Sequence, residues 1–108
     1  MVQIRLAALL GGLLFVAGLT STAWADTQVT IDNFTFSPAE ITVSPGTRVV
    51  WTNQDDIPHT VTGADEPRAM RSQPLDTGES FGFTFVRPGI YRYFCSLHPH
   101  MQGTVVVR

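Results

Sequence analysis

The stretch Ile90–Val107, IYRYFCSLHPHMQGTVVV, decides how this chain is read. Ile90 to Phe94 and Gly103 to Val107 are rich in β-branched and aromatic residues, so both ends read as strands. The run between them holds neither a helical nor a strand period, which places Cys95, His98 and Met101 on one short connecting loop. A thiolate, an imidazole and a thioether can turn from such a loop toward one centre. A fourth donor must come from another strand. His59 is the candidate, following Pro58 at the entry to an expected strand from Thr60 to Gly63.

Outward from this stretch the strand signature repeats. Further β-rich runs lie at Gln28 to Asp32, Glu40 to Val43, Thr47 to Asn53 and Glu79 to Val86. Ser37-Pro38, Ser44-Pro45-Gly46, Asp76-Thr77-Gly78 and Arg87-Pro88-Gly89 break them. Proline presets φ and glycine accepts positive φ, so the Pro-Gly pairs are turns by mechanism. No segment sustains a 3.6-residue apolar period, and no helix longer than a turn or two is expected. Phe81, Phe83 and Phe85 alternate with Gly82 and Thr84, so their three rings share one strand face and are expected to meet Val49, Trp51, Val105 and Val107 in the core. Ala64 to Leu75 shows neither period and reads as a surface loop with at most a short helical turn. The spacing fits an all-β fold, a Greek-key β-sandwich of about seven to eight strands.

Composition bounds the function. The chain has 108 residues, the size of one domain, with 44% apolar and 15% charged residues, which excludes a disordered tail, a collagen repeat and a long coiled coil. Lysine is absent and seven arginines face nine acids, so a net charge of -2 gives no electrostatic reason for nucleic-acid binding. At the N-terminus Arg5 precedes the apolar run Leu6 to Leu19, and Ala23-Trp24-Ala25 offers a small-residue cleavage site. Residues 1–25 therefore read as a cleaved secretory signal peptide and 26–108 as the mature domain, exported to the periplasm with no stable membrane insertion after cleavage. An uncleaved anchor is the competing reading, though the apolar run is shorter than the ~18–20 residues that span hydrocarbon. Cys95 is the only cysteine, so no disulfide can form within the chain, and an exported lone thiol needs burial, an intermolecular partner or a metal.

The donor set His59, Cys95, His98 and Met101 is chemically selective. Thiolate and thioether are soft donors that suit Cu(I), imidazole serves both copper oxidation states, and the oxygen donors favoured by Mg²⁺ or Ca²⁺ are missing. Zinc is the rival metal, but its structural sites seldom use thioether. His100 is the alternative to His98; it adjoins Met101, and neighbouring side chains in an extended loop diverge. Taken singly, each residue has a plain structural reading: His59 as a surface histidine, Met101 as a core plug, Cys95 as a small buried hydrophobe. The conjunction of all of them is what points to a metal.

At these residues the chain resembles the cupredoxins, and the three-residue steps from Cys95 to His98 to Met101 are most similar to the amicyanin group, with the longer loop of plastocyanins more distant. Ile31 to Pro38, Val50 to Asn53, Ile57 to Thr60 and Gly103 to Val107 resemble family segments in the same order. The resemblance implies one type 1 copper per chain, cycling between Cu(I) and Cu(II), and casts Asn53 as the amide that ties the two ligand loops together. His100 departs from the family, which more often places a bulky apolar residue there. Pro99 has no backbone N–H and cannot donate to the Cys95 sulfur.

Electron transfer uses the complete set. Catalytic copper proteins need an open, histidine-rich second centre, and only His100 is left over to build one. The expected function is that of a monomeric one-electron carrier between a redox protein donor and a redox protein acceptor, and not of an enzyme. A module for copper storage, delivery or tolerance uses the same ligands and stands as the alternative.

Overall fold

The computed structural model describes residues 25–65 and 69–108. The expected signal peptide lies almost wholly outside the described residues. Among these, no helix is long and apolar enough to cross a membrane. The described residues form eight strands: β1 (Thr27–Asp32), β2 (Thr35–Ser37), β3 (Glu40–Val43), β4 (Thr47–Asn53), β5 (Thr62–Gly63), β6 (Ser80–Phe85), β7 (Gly89–Cys95) and β8 (His98–Val107). They make two four-stranded sheets in the orders β2-β1-β4-β6 and β3-β8-β7-β5. The pairs β1/β4 and β3/β8 are parallel and the others antiparallel. This is the all-β sandwich expected from the sequence.

Strand alternation sets what each sheet buries. β4 buries Val49, Trp51 and Asn53; β7 buries Tyr93 and Cys95; β8 buries Met101, Gly103, Val105 and Val107. These inward rows are apolar for most of their length. They acquire amide and sulfur groups only at one end of the sandwich, where Asn53, Cys95 and Met101 lie. Trp51 fills the middle, with ring centroids 5.3 Å from Tyr93, 5.9 Å from Phe81 and 6.4 Å from Phe85, and Tyr93 stands 4.7 Å from Phe36. Each such buried side chain contributes roughly 1.5–3 kcal/mol through apolar burial.

Three sequence expectations need correction. Phe85 is buried, but Phe81 and Phe83 are half-buried against the core, because β6 is the outer strand of its sheet. The expected surface loop from Ala64 to Leu75 is not solvated over its described second half: residues 69–75 run antiparallel to 59–63, with bridges Thr62↔Arg71 and His59↔Leu75, and bury Met70, Ser72 and Leu75. β5 is short: Val61 bonds to Ser72 in that segment, its N–H donating to Ser72 Oγ and its O accepting from the Ser72 N–H, while Thr60 meets the end of β7 through Cys95 Sγ and not through a backbone ladder. The strand β2 was not expected; it forms a hairpin with β1 through Asn33 and Phe34, whose φ values of 51° and 58° are those of a two-residue type I′ turn.

Two tests follow from this packing. A Cβ added at Gly103 runs into the ring and hydroxyl of Tyr93, which is held between Trp51 and Phe36, whereas one added at Gly82 meets only the tip of the flexible, exposed Arg48 side chain, whose surface ion pair with Asp26 gives way at little cost. Gly103→Ala should cost about 1–3 kcal/mol, and Gly82→Ala less than about 1 kcal/mol, read from denaturant unfolding; equal losses would refute the contrast. Burial pushes the Tyr93 hydroxyl from 10.0 up to about 12, only weakly opposed by the nearby Trp51 indole, whose N–H makes no well-formed hydrogen bond. The folded value lies above the unfolded one, so the stability Tyr93 gives is complete below pH 10 and is lost as pH climbs toward 12. Ultraviolet titration of a Tyr91→Phe variant should find Tyr93 ionising near 12, and a midpoint near 10 would contradict its burial.

Candidate metal centre

The β7–β8 hairpin supplies most of the site. Ser96 and Leu97 form the turn, so Cys95 pairs with His98, but Phe94 pairs with Gln102, and Pro99, His100 and Met101 have no partners across the ladder. This bulge suspends the two-residue alternation of β8. His98 is half-buried and Met101 is 5% exposed, while Pro99 and His100 between them face solvent. Cys95, His98 and Met101 were expected on a loop between strands; instead Cys95 ends β7 and the other two lie on the opening turn of β8, because the hairpin is tight enough for the ladder to begin at once.

Cys95 Sγ is fully buried at the centre of this end. His98 Nδ1 lies 3.6 Å from it and His59 Nδ1 3.7 Å. The three donor atoms fall within 4.8 Å of one another. Donors held at about 2.0–2.3 Å from a common ion in a plane stand roughly 3.5–4 Å apart, so the spacing fits one small transition-metal ion. Met101 belongs to the same buried cluster as Cys95. His100 is exposed and takes no part in the donor group.

His59 is held at both ends. Its backbone exchanges hydrogen bonds with Leu75, N–H to O at 3.2 Å and O to N–H at 2.7 Å. Its ring Nε2 is 2.8 Å from Asp55 Oδ2, and the same carboxylate oxygen accepts the Phe34 N–H at 3.0 Å. That backbone N–H, with the His59 ring as the second donor, holds Asp55 below the usual carboxylate range. An ionised Asp55 keeps the imidazole proton on Nε2 and leaves the Nδ1 lone pair directed to the sulfur side, the arrangement a metal ligand needs.

Asn53 ties the loop before His59 to the segment around Leu75 and does not reach the Cys95 hairpin. Its Nδ2 donates to Ile57 O at 2.9 Å and Leu75 O at 2.8 Å, and its Oδ1 accepts from Asp55 N at 2.8 Å. All of these partners belong to the His59 side. The link to the Cys95 hairpin is Thr60 instead: its N–H points to Cys95 Sγ at 3.3 Å, and its Oγ1 accepts the Ser96 N–H at 2.8 Å and meets Ser96 Oγ at 2.9 Å. A donor to the sulfur lowers thiolate basicity, a contribution that Pro99 cannot make from the other side. Sequence reasoning missed Thr60, Asp55 and Phe34. The Phe34 ring packs edge-on to both imidazoles, with centroids 5.4 Å from His59 and 5.0 Å from His98.

Comparison with known proteins agrees with this geometry. Residues 6–107 match the family model of the cupredoxin-like domain. The chain is 33% identical to amicyanin-alpha of Methylorubrum extorquens over 75% of its own length and 71% of that protein's, and 31% identical to plastocyanin of Scenedesmus fuscus over 68% and 86%. A solved purple cupredoxin from Nitrosopumilus maritimus superposes with a TM-score of 0.72 at 35% identity, covering 77% of this chain and all of that one. The fold, the buried cysteine between two histidines and these likenesses together place the chain in the cupredoxin-like family.

Proposed function

We propose that this protein is a small exported blue copper protein that carries one electron at a time between redox partners, with His59, Cys95, His98 and Met101 as the ligands of a single copper. The observation that carries the reading is the buried Cys95 sulfur with an imidazole nitrogen 3.6 Å and another 3.7 Å away. Two histidines and a cysteine in a trigonal set, with a weak methionine on the axis, are the donors of type 1 copper. When bound, copper supplies a one-electron couple between Cu(I) and Cu(II).

The chain's residues do the rest. Asp55 fixes the His59 ring, Thr60 ties the His59 segment to the Cys95 hairpin, and the sandwich keeps water from the sulfur. Donors held in place by packing need not rearrange when the charge at the centre changes. No substrate has to enter, which agrees with a carrier and not with an enzyme. Half-buried His98 is the ligand nearest to solvent and gives the electron its shortest way out. The N-terminal export signal supports a periplasmic location and a mature chain of residues 26–108.

Copper loading should give an intense visible thiolate-to-Cu(II) band, and Cys95→Ser should abolish it while the domain stays folded; a retained band would exclude Cys95 as a ligand. At the axial position, Met101→Leu should keep copper and raise the reduction potential, and Met101→Gln should lower it, because an amide oxygen favours Cu(II). Voltammetry that finds the parent potential in both variants would make Met101 a packing residue only.

A further inference from the structure

Electrons leave or enter at an end of the sandwich whose surface has a definite chemistry. Four segments form it: the β1–β2 turn (32–35), the loop before His59 (54–58), the turn before β6 (74–79) and the β7–β8 turn (96–100). At its middle, beside half-buried His98, Phe34 and Leu97 are each 50% exposed. Around them these segments carry Asp32, Asp55, Asp56, Asp76 and Glu79 and no arginine. Asp55 is turned inward on His59, leaving four exposed carboxylates. Arg71 lies further down the flank, opposite Thr62. Arg87 and Arg108 lie at the far end, and Arg48 and Arg92 are paired with Asp26 and Asp65.

We infer that this end docks a redox partner whose electron-transfer site is apolar at its centre and cationic at its rim. The inference rests on the carrier reading and adds the sign of the partner. The exposed Phe34 ring against ligand His98, with exposed Leu97 next to it in the chain, gives a dry, close contact, and a rim that among the described residues carries only carboxylates steers the opposite sign toward it. Phe34 serves this surface at a conformational cost: at φ 58° it occupies a region that bulky residues seldom adopt, and its N–H bond to Asp55 holds it there.

The test uses copper-loaded protein and two small probes of opposite charge. Reduced protein is mixed in a stopped-flow apparatus with tris(phenanthroline)cobalt(III), an aromatic trication, or with ferricyanide, a trianion. Each reaction moves one electron, cobalt(III) to cobalt(II) or iron(III) to iron(II), as bound Cu(I) becomes Cu(II); no bond forms and no proton is transferred. Between about 0.01 M and 0.2 M salt, the cation should slow by roughly tenfold and the anion should speed up. The triple variant Asp32→Asn, Asp56→Asn, Asp76→Asn should lose most of the cation's slope. A second triple, Asp26→Asn, Glu40→Gln, Asp65→Asn, changes net charge equally but away from this end and should keep most of it. Potentials measured on both triples separate driving force from docking. Equal losses in the two triples, or no slope in the parent, would overturn the inference. Should the first triple not fold, Asp76→Asn, in an exposed turn, gives the same test with a smaller effect. A parent without the visible copper band overturns the carrier reading itself, and the docking inference with it.

Discussion

The sulfur of Cys95 has no solvent exposure, and it is there that three separate parts of the chain must meet. The His59 segment brings an imidazole and the Thr60 N–H, the hairpin brings His98, and the inner rows of both sheets close the space beneath. A buried thiolate without partners is costly, so this junction is stable only if something positive or hydrogen-donating faces the sulfur. The Thr60 N–H does so, and the two imidazole nitrogens beside the sulfur are placed to share a cation with it. The same requirement that makes the apo site awkward to bury makes it a good receptor for a soft cation, which is how the packing problem and the function become a single constraint.

From that constraint the surrounding structure follows. His59 must present Nδ1, so Nε2 needs an acceptor, and Asp55 supplies it. Asp55 in turn must remain ionised in a nearly buried place, so it takes the Phe34 N–H as well. Phe34 thus reaches the left-handed region of the β1–β2 turn and lays its ring against both histidines. A chain of two hydrogen bonds through Asp55 links the first hairpin of the fold to a ligand that lies 25 residues beyond Phe34 in sequence.

Much of this was legible beforehand, and for a physical reason. Cysteine, histidine and methionine are rare, so their spacing carries information, and strict alternation in β4 and β8 exposes the inner rows that end at Asn53 and Met101. What was not legible relies on common residues whose role exists only after folding. Thr60 reads as any strand threonine until Ser96 and Cys95 are beside it. Met70-Arg71-Ser72-Gln73 does alternate, but with a serine on the buried face, which hides the strand-like segment from a hydrophobic pattern. The β1–β2 turn was missed because Asn-Phe lacks the glycine that usually marks a type I′ turn. Asn53 was assigned by likeness to a bridging role, and the hydrogen bonds give that role to Thr60.

The central claim is that one copper sits among a thiolate and two imidazoles already arranged to receive it. X-ray absorption at the copper edge, on protein loaded with one equivalent and measured in both oxidation states, addresses it most directly. The account predicts one short copper–sulfur distance and two copper–nitrogen distances near about 2 Å, changing little between Cu(II) and Cu(I). A first shell of nitrogen and oxygen alone, with no short sulfur in either state, would contradict it.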